Sequence, residues 1–138
     1  MTTPQSPASA ARRIHVSAAV IVDDEGRLLL VRKAGTSAFM QPGGKPETGE
    51  TPDQTLRREL HEELALTIAP HQMTSLGVFE AAAANEPGFI VVADVFTVEV
   101  GSQTPRIGAE IEELRWVTHA DAEALEVAPL ARENFLPR

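Results

Sequence analysis

The sequence has 138 residues, a formal charge of −8 at pH 7 and no cysteine. That length suits one domain with a real core, and an acidic chain lacks the basic surface that general affinity for polymeric nucleic acid requires. The missing thiols exclude disulfides, thiolate-bound zinc and a cysteine nucleophile.

Hydrophobic residues make up 43% and charged residues 23%, ordinary values for a soluble globular protein. No apolar run approaches the ~18 residues of a membrane span. The expectation is a cytoplasmic protein, monomer or homodimer, whose partner is a small molecule rather than nucleic acid or membrane.

Met1 to Ala11 is rich in Ser, Thr, Pro and Ala and lacks the basic and apolar regions of a signal peptide. It reads as a disordered tail, residues 1–11, before a single domain, residues 12–138. Ile14 to Val22 is apolar and β-branched. Asp23-Asp24-Glu25-Gly26 then forms a turn, and Arg27 to Lys33 a second strand, so a hairpin is expected. Phe39-Met40-Gln41-Pro42 should be a brief strand delivering the chain to Gly43-Gly44.

A helix follows. Thr51 is a suitable N-cap, Pro52 suits the first helical position, and Gln54 completes a capping box. Nothing local ends it before Leu64. Leu56, Leu60 and Leu64 form an apolar stripe, and Glu59, Glu62 and Glu63 share the adjoining face at the rim of the core. Glutamates clustered on a helix usually form a solvated face, and Arg57 and Arg58 could neutralise these. The bare cluster decides nothing.

Beyond the helix, Thr67 to Ala69 is extended before a break at Pro70-His71. Strands are expected at Leu76 to Glu80, Phe89 to Val100 and Glu113 to Val117, with loops at Ala84 to Gly88 and Gly101 to Gly108. Short helices are expected at Ala120 to Leu125 and Ala128 to Phe135. Strands on both sides of one helix, then terminal helices, predict an α/β fold with a mixed sheet between helices.

The spacing around the helix is specific. Five residues separate Gly44 from Glu50, and seven more lead to Arg58-Glu59; Leu60, Glu62-Glu63 and Leu66 complete the pattern. This resembles the Nudix box, G-x5-E-x7-R-E-U-x-E-E-x-G-U with U aliphatic. The one departure is Ala65, where the family has glycine just past the helix end, a place where φ > 0 is often needed.

The resemblance implies the α/β/α Nudix sandwich and hydrolysis of a nucleoside diphosphate linked to a group X, assisted by Mg²⁺ or Mn²⁺. By match to the box, Glu59 and Glu63 are the leading metal ligands, Glu62 the next, and the Gly43 carbonyl a further one. Glu59 is also the first candidate to activate water. Arg58 and Glu50 correspond to a pair that braces the loop against the helix, with Arg58 pointing away from the Glu59–Glu63 side. A further carboxylate from a later loop is expected at Glu110, with Glu112 and Glu113 competing for the role.

Arg32 and Lys33 are candidates for phosphate contact. Strand alternation allows only one of them inward, and Lys33 matches the family better. Phe39 and Gln41 are further candidates for substrate contact, and Phe39, Met40 and Trp116 for a base pocket. Arg12 and Arg13 are read as surface charge, and the 4 histidines as structural or exposed.

Marks of other Nudix subgroups are missing. There is no tyrosine, and Glu80-Ala81-Ala82-Ala83 stands where ADP-ribose enzymes have a proline. The array of the NADH group is absent too. The chain therefore resembles the MutT-like group, which converts (deoxy)nucleoside triphosphates to monophosphate and pyrophosphate. Leu125-Glu126-Val127-Ala128-Pro129 lacks the base-reading Asn of oxidised-guanine enzymes, and only Asn134 follows, which argues against a preference for 8-oxo-dGTP. The alternative is a non-catalytic Nudix module that binds a nucleotide and regulates a partner. Such modules usually lose box glutamates, and all of them are present here.

Overall fold

Strand β1, Arg12–Val20, becomes buried on both faces at Ser17-Ala18-Ala19 and therefore lies inside a sheet rather than at its edge. In the computed structural model, which describes residues 12–138, β1 pairs antiparallel with β3 (Gly43–Gly44) and parallel with β5 (Phe89–Val98). Strand β4 (Met73–Ala82) pairs antiparallel with β5, giving the order β3-β1-β5-β4. Strands β2 (Leu28–Lys33) and β6 (Ile111–Val117) form a separate two-stranded antiparallel sheet. The tail expected at residues 1–11 lies outside the described residues.

The hairpin expected between the first two strands is corrected. Its turn exists: the Asp23 carboxylate accepts from the Glu25 and Arg27 amides at 3.0 and 2.8 Å, and Gly26 takes φ 78°. Pairing is limited to the Asp23 amide with the Arg27 carbonyl at 3.0 Å, the Val22–Leu28 bridge and the Leu29 amide with the Ile21 carbonyl at 2.9 Å. Both strands are apolar on two faces, so each finds other neighbours and they diverge into different sheets. Strand β4 also runs longer than expected at both ends. A register shift between Ser75 and Gly77 breaks the apolar alternation that would reveal it.

Helix α1, Pro52–Leu64, lies on one side of both sheets. Its Leu56, Leu60 and Leu64 are fully buried with Ala19 and Ile21 from β1 and the following turn, and with Leu29 and Val31 of β2. The opposite faces carry Leu28 and Leu30 against Ala122 of α2 (His119–Glu123), and Ala18 and Val95 against Leu130 of α3 (Pro129–Asn134). The result is an α/β/α sandwich with a mixed sheet between helices. Among the described residues no helix is long and apolar enough to cross a membrane.

The ends of α1 follow from local chemistry. Gln54 Oε1 accepts from the Thr51 amide at 3.0 Å, the reciprocal half of a capping box, while the Thr51 hydroxyl donates to Asp53 at 2.7 Å. At the other end Ala65 adopts φ 56°, ψ 31°, the left-handed conformation that glycine would take without strain. Ala65 is exposed, so glycine removes strain without opening a cavity. Ala65→Gly is expected to stabilise by about 1 kcal/mol, or roughly 3 °C in Tm for this size, with kcat unchanged. Thermal melts check it, and a lower Tm would contradict the strain assigned to this residue.

Candidate active site

The glycine loop and α1 are joined by one guanidinium. Arg58 donates from Nε to Glu50 Oε2 at 2.7 Å and from Nη2 to Glu50 Oε1 at 2.9 Å and to the Lys45 carbonyl at 2.9 Å. Those hydrogen bonds hold the Glu50 carboxyl down at about 2, below the usual carboxylate range. Fully buried Thr55 adds a hydroxyl bond to Glu50 Oε1 at 3.0 Å, a member of the brace that the sequence reading missed.

The expectation that Arg58 points away from the carboxylate face is corrected. Its Nη1 reaches Glu59 at 3.2 Å and Glu62 at 3.3 Å. A long, planar donor fork can serve the loop on one side and the helix face on the other.

The three helix glutamates sit at different depths. Glu62 is exposed, the side chain of Glu59 is 16% exposed, and Glu63 is buried at 4%. Desolvation, only partly offset by Arg58, raises the Glu59 carboxyl. Burial pushes Glu63 up to about 8, against the opposing charge of Lys33, with the nearby Glu59 adding to the rise. The Gly43 amide donates to Glu63 Oε1 at 3.2 Å. Gly44 lies so close to the Glu59 carboxylate that a Cβ there would strike it, and a Cβ on Gly43 would strike the Ser17 backbone. Backbone contact requires glycine at Gly43, whereas a side chain at Gly44 would displace the Glu59 carboxylate.

The loop after β5 is fastened to the C-terminal end of α1. Arg106, Gly108 and Ala109 donate backbone N–H groups to the carbonyls of Leu64, Glu63 and Glu62 at 2.9, 2.8 and 3.0 Å. These carbonyls have no partner within the helix, so the loop satisfies them. A Cβ on Gly108 would meet the Glu62 carbonyl, so close docking needs glycine there. Glu110, at φ 63°, follows directly and lines the same cavity as Lys33, Gly44, Lys45, Glu59, Glu62 and Glu63. That cavity, of about 440 Å³, continues past Met40 to Ile14, Val16 and Val91 and to the β4–β5 loop at Asn85.

Other candidates lie elsewhere. Arg32 is on the opposite side of β2 from Lys33, held by Glu112 at 3.2 Å, Glu113 at 3.3 Å and the Thr36 carbonyl at 2.8 Å. This corrects its assignment to substrate contact and leaves Glu112 and Glu113 outside the cavity. Phe39 is 5% exposed and packs in the core with Leu28, Leu30 and Val117, so it is corrected to a core residue. Trp116 packs in the core around α1, away from the glutamates. Gln41 is buried behind the cluster and donates to the Ala19 carbonyl at 3.0 Å. Asn134 bonds the Leu130 carbonyl within α3. All four histidines are exposed. Met40, a candidate for a base pocket, lines the cavity, whereas Lys45 and Asn85 were missed as lining residues because nothing in their local pattern distinguishes them.

Among the described residues, no three carboxylate or imidazole groups converge into a ready metal cage. Arg58 holds Glu59 and Glu62 instead. The donor set still fits a hard divalent cation: it is all oxygen, and the buried Glu63 carboxyl retains a proton where a counter-charge is lacking. Glu63 has its raised pKa only in the fold, so the stability it contributes is full below about pH 4.5 and lost as pH rises through about 8. The Tm of the cation-free protein is expected to fall across that interval, and Glu63→Gln to flatten the fall. Melts in EDTA at several pH values check it, and an equal slope in the variant would contradict the assignment.

A family model described as "NUDIX domain" matches residues 11–138. A MutT-like protein of Streptomyces ambofaciens is 30% identical over 118 residues, covering 86% of this chain and 72% of the relative. An 8-oxo-dGTP diphosphatase of Haemophilus influenzae is 40% identical over 71 residues, 49% of this chain and 52% of that protein. The crystal structure of a MutT Nudix hydrolase from Burkholderia pseudomallei superimposes with TM-score 0.64 at 29% identity, covering 83% of this chain and 97% of that one. With its family match spanning every described residue, this chain belongs to the Nudix family, among the MutT-like hydrolases.

Proposed function

We propose that this chain hydrolyses a (deoxy)nucleoside triphosphate to the monophosphate and pyrophosphate with the help of Mg²⁺, for which Mn²⁺ could substitute. The observation that carries this reading is one cavity bringing Glu59, Glu62, Glu63 and Glu110 together with Lys33 and Lys45. Acidic groups alone repel a triphosphate, and basic groups alone bind it without hydrolysis. Carboxylates that hold a cation, bordered by lysines, suit both needs. The relatives include proteins named 8-oxo-dGTP diphosphatase and RNA pyrophosphohydrolase, and both names describe cleavage at a phosphoric anhydride.

Glu59, Glu62, Glu63, Glu110 and the Gly43 carbonyl would hold the cation. When bound, a divalent cation neutralises the diphosphate bridge and lowers the pKa of coordinated water. Lys33 and Lys45 bind phosphate oxygens at the wall of the cavity. Glu59 accepts the proton of the attacking water, its carboxylate facing the cavity beside Gly44. Arg58 acts as a positioning residue, holding Glu59 and the glycine loop in one geometry.

A panel of nucleoside triphosphates assayed with Mg²⁺ for released pyrophosphate tests the reading. Turnover is expected to disappear in EDTA, and turnover that persists after exhaustive chelation would contradict it. Glu59→Gln, close in size and uncharged, is expected to lower kcat at least ~10²-fold while the protein stays folded. A variant with unchanged kcat would remove Glu59 from the chemistry.

The loop carboxylates give a sharper comparison. Glu110→Gln is expected to lower kcat and weaken the apparent Mg²⁺ affinity, whereas Glu112→Gln, which only loosens an exposed pair with Arg32, should do neither. Matched metal titrations decide it, and damage confined to the Glu112 variant would place the wrong residue in the metal shell.

A further inference from the structure

Four polar side chains are buried among the described residues: Ser17, Gln41, Thr55 and Glu63. All of them gather where β1, the glycine loop and α1 meet. The Ser17 hydroxyl donates to the Pro52 carbonyl at 2.9 Å, and Gln41 Nε2 to the Ala19 carbonyl at 3.0 Å, leaving Gln41 Oε1 without a partner. Glu63 accepts from the Gly43 amide, and Thr55 donates to Glu50. A buried hydrogen-bonded pair adds little stability over apolar groups of the same shape, so such a concentration marks a place where geometry matters. Thr55 stands out, because it is one of the seven unspecified residues between Glu50 and Arg58 and nothing in the box spacing asks for a hydroxyl there.

The partner of Thr55 governs a competition. The Arg58 guanidinium lies within reach of four carboxylates: Glu50 at 2.7 Å, Glu59 at 3.2 Å, Glu62 at 3.3 Å and Glu47 at 3.6 Å. Glu50 keeps Nε and Nη2 on the loop side, which leaves only Nη1 for Glu59 and Glu62. Any further donor turned toward that helix face would compete with a cation for the same oxygens. The torsion that orients a glutamate carboxylate is broad, so Glu50 needs fixed donors to present its plane to Arg58. Its Oε1 accepts from the Glu47 amide at 2.8 Å, the Thr55 hydroxyl at 3.0 Å and Arg58 Nη2 at 2.9 Å. The Glu47 amide belongs to the loop itself. Thr55, fully buried on α1, ties the carboxylate to the helix independently of Arg58.

We propose that Thr55 is a positioning residue: its hydroxyl holds the Glu50 carboxylate so that Arg58 stays on the glycine loop and leaves Glu59 and Glu62 to the divalent cation. The inference rests on the reading of the helix carboxylates as a cation site. Without the hydroxyl, Glu50 turns, Arg58 moves a second nitrogen toward the helix face, and a cation must displace a guanidinium fork there. Cation affinity then falls while the fold persists.

The test compares the full chain with Thr55→Val, which keeps the shape and removes the donor, and Thr55→Ser, which keeps the donor. Thr55→Ala serves as a second donor-free variant should the valine chain fail to fold. Mn²⁺ binding is measured by calorimetry without nucleotide, and the cation-free Tm is taken alongside. The donor-free variant is expected to bind Mn²⁺ about tenfold more weakly, the scale of one hydrogen bond to a charged group, and Thr55→Ser to recover most of that loss. In the cation-free protein, the Arg58 Nε–H signal in ¹⁵N NMR is expected to be protected from exchange in the wild-type and serine chains and exposed in the donor-free one. A hydroxyl that merely filled the core would change Tm and leave both readouts alone. Unchanged Mn²⁺ affinity in the donor-free variant, or an Arg58 signal that stays protected there, overturns the role of Thr55 while the cation site stands. Absence of Mn²⁺ binding by the wild-type chain overturns the cation reading as well.

Discussion

The Arg58 guanidinium is the interaction on which the rest of the site depends. It binds Glu50 through two nitrogens at 2.7 and 2.9 Å, takes the Lys45 carbonyl at 2.9 Å, and still reaches Glu59 and Glu62. A lysine ammonium could not span those partners, because its donors radiate from one atom. The brace fixes the glycine loop against α1. Gly44 then rests on the Glu59 carboxylate, and Gly43 reaches Glu63 while packed on Ser17. Sequence spacing thus becomes site geometry through one side chain.

That geometry creates an electrostatic problem that points toward function. Carboxylates at the rim of a core repel one another, and the deepest, Glu63, is pushed up to about 8 by burial. Evolution of a merely structural helix would favour leucine at such a position. A buried carboxyl is useful where a cation replaces its proton. The loop of Arg106 to Ala109 adds Glu110 to the same cavity by capping the helix carbonyls, so one set of hydrogen bonds both ends the helix and completes the acidic rim.

Helix α1 was legible residue by residue, since Thr51, Pro52 and the Leu56–Leu60–Leu64 stripe are local signals. So was the left-handed Ala65, expected from the glycine usual there. The β1–β2 hairpin misled because adjacency in sequence does not say which edge an apolar strand will choose once two sheets compete for it. Alternation separated Lys33 from Arg32 correctly, yet it could not reveal that Glu112 and Glu113 would hold Arg32 on the far side. Phe39 looked available for a base because aromatic side chains serve pockets and cores alike. The docking of Gly108 on Glu62 and the orphaned oxygen of Gln41 are products of tertiary contact, and no periodicity carries them.

The most direct measurement of the central claim is the fate of a nucleoside triphosphate incubated with the purified chain and Mg²⁺ in ¹⁸O-enriched water, followed by ³¹P NMR and mass spectrometry. The account predicts monophosphate and pyrophosphate in equal amounts, with solvent oxygen in one of the two products. Formation of diphosphate and inorganic phosphate, or no turnover of any nucleotide, would contradict it.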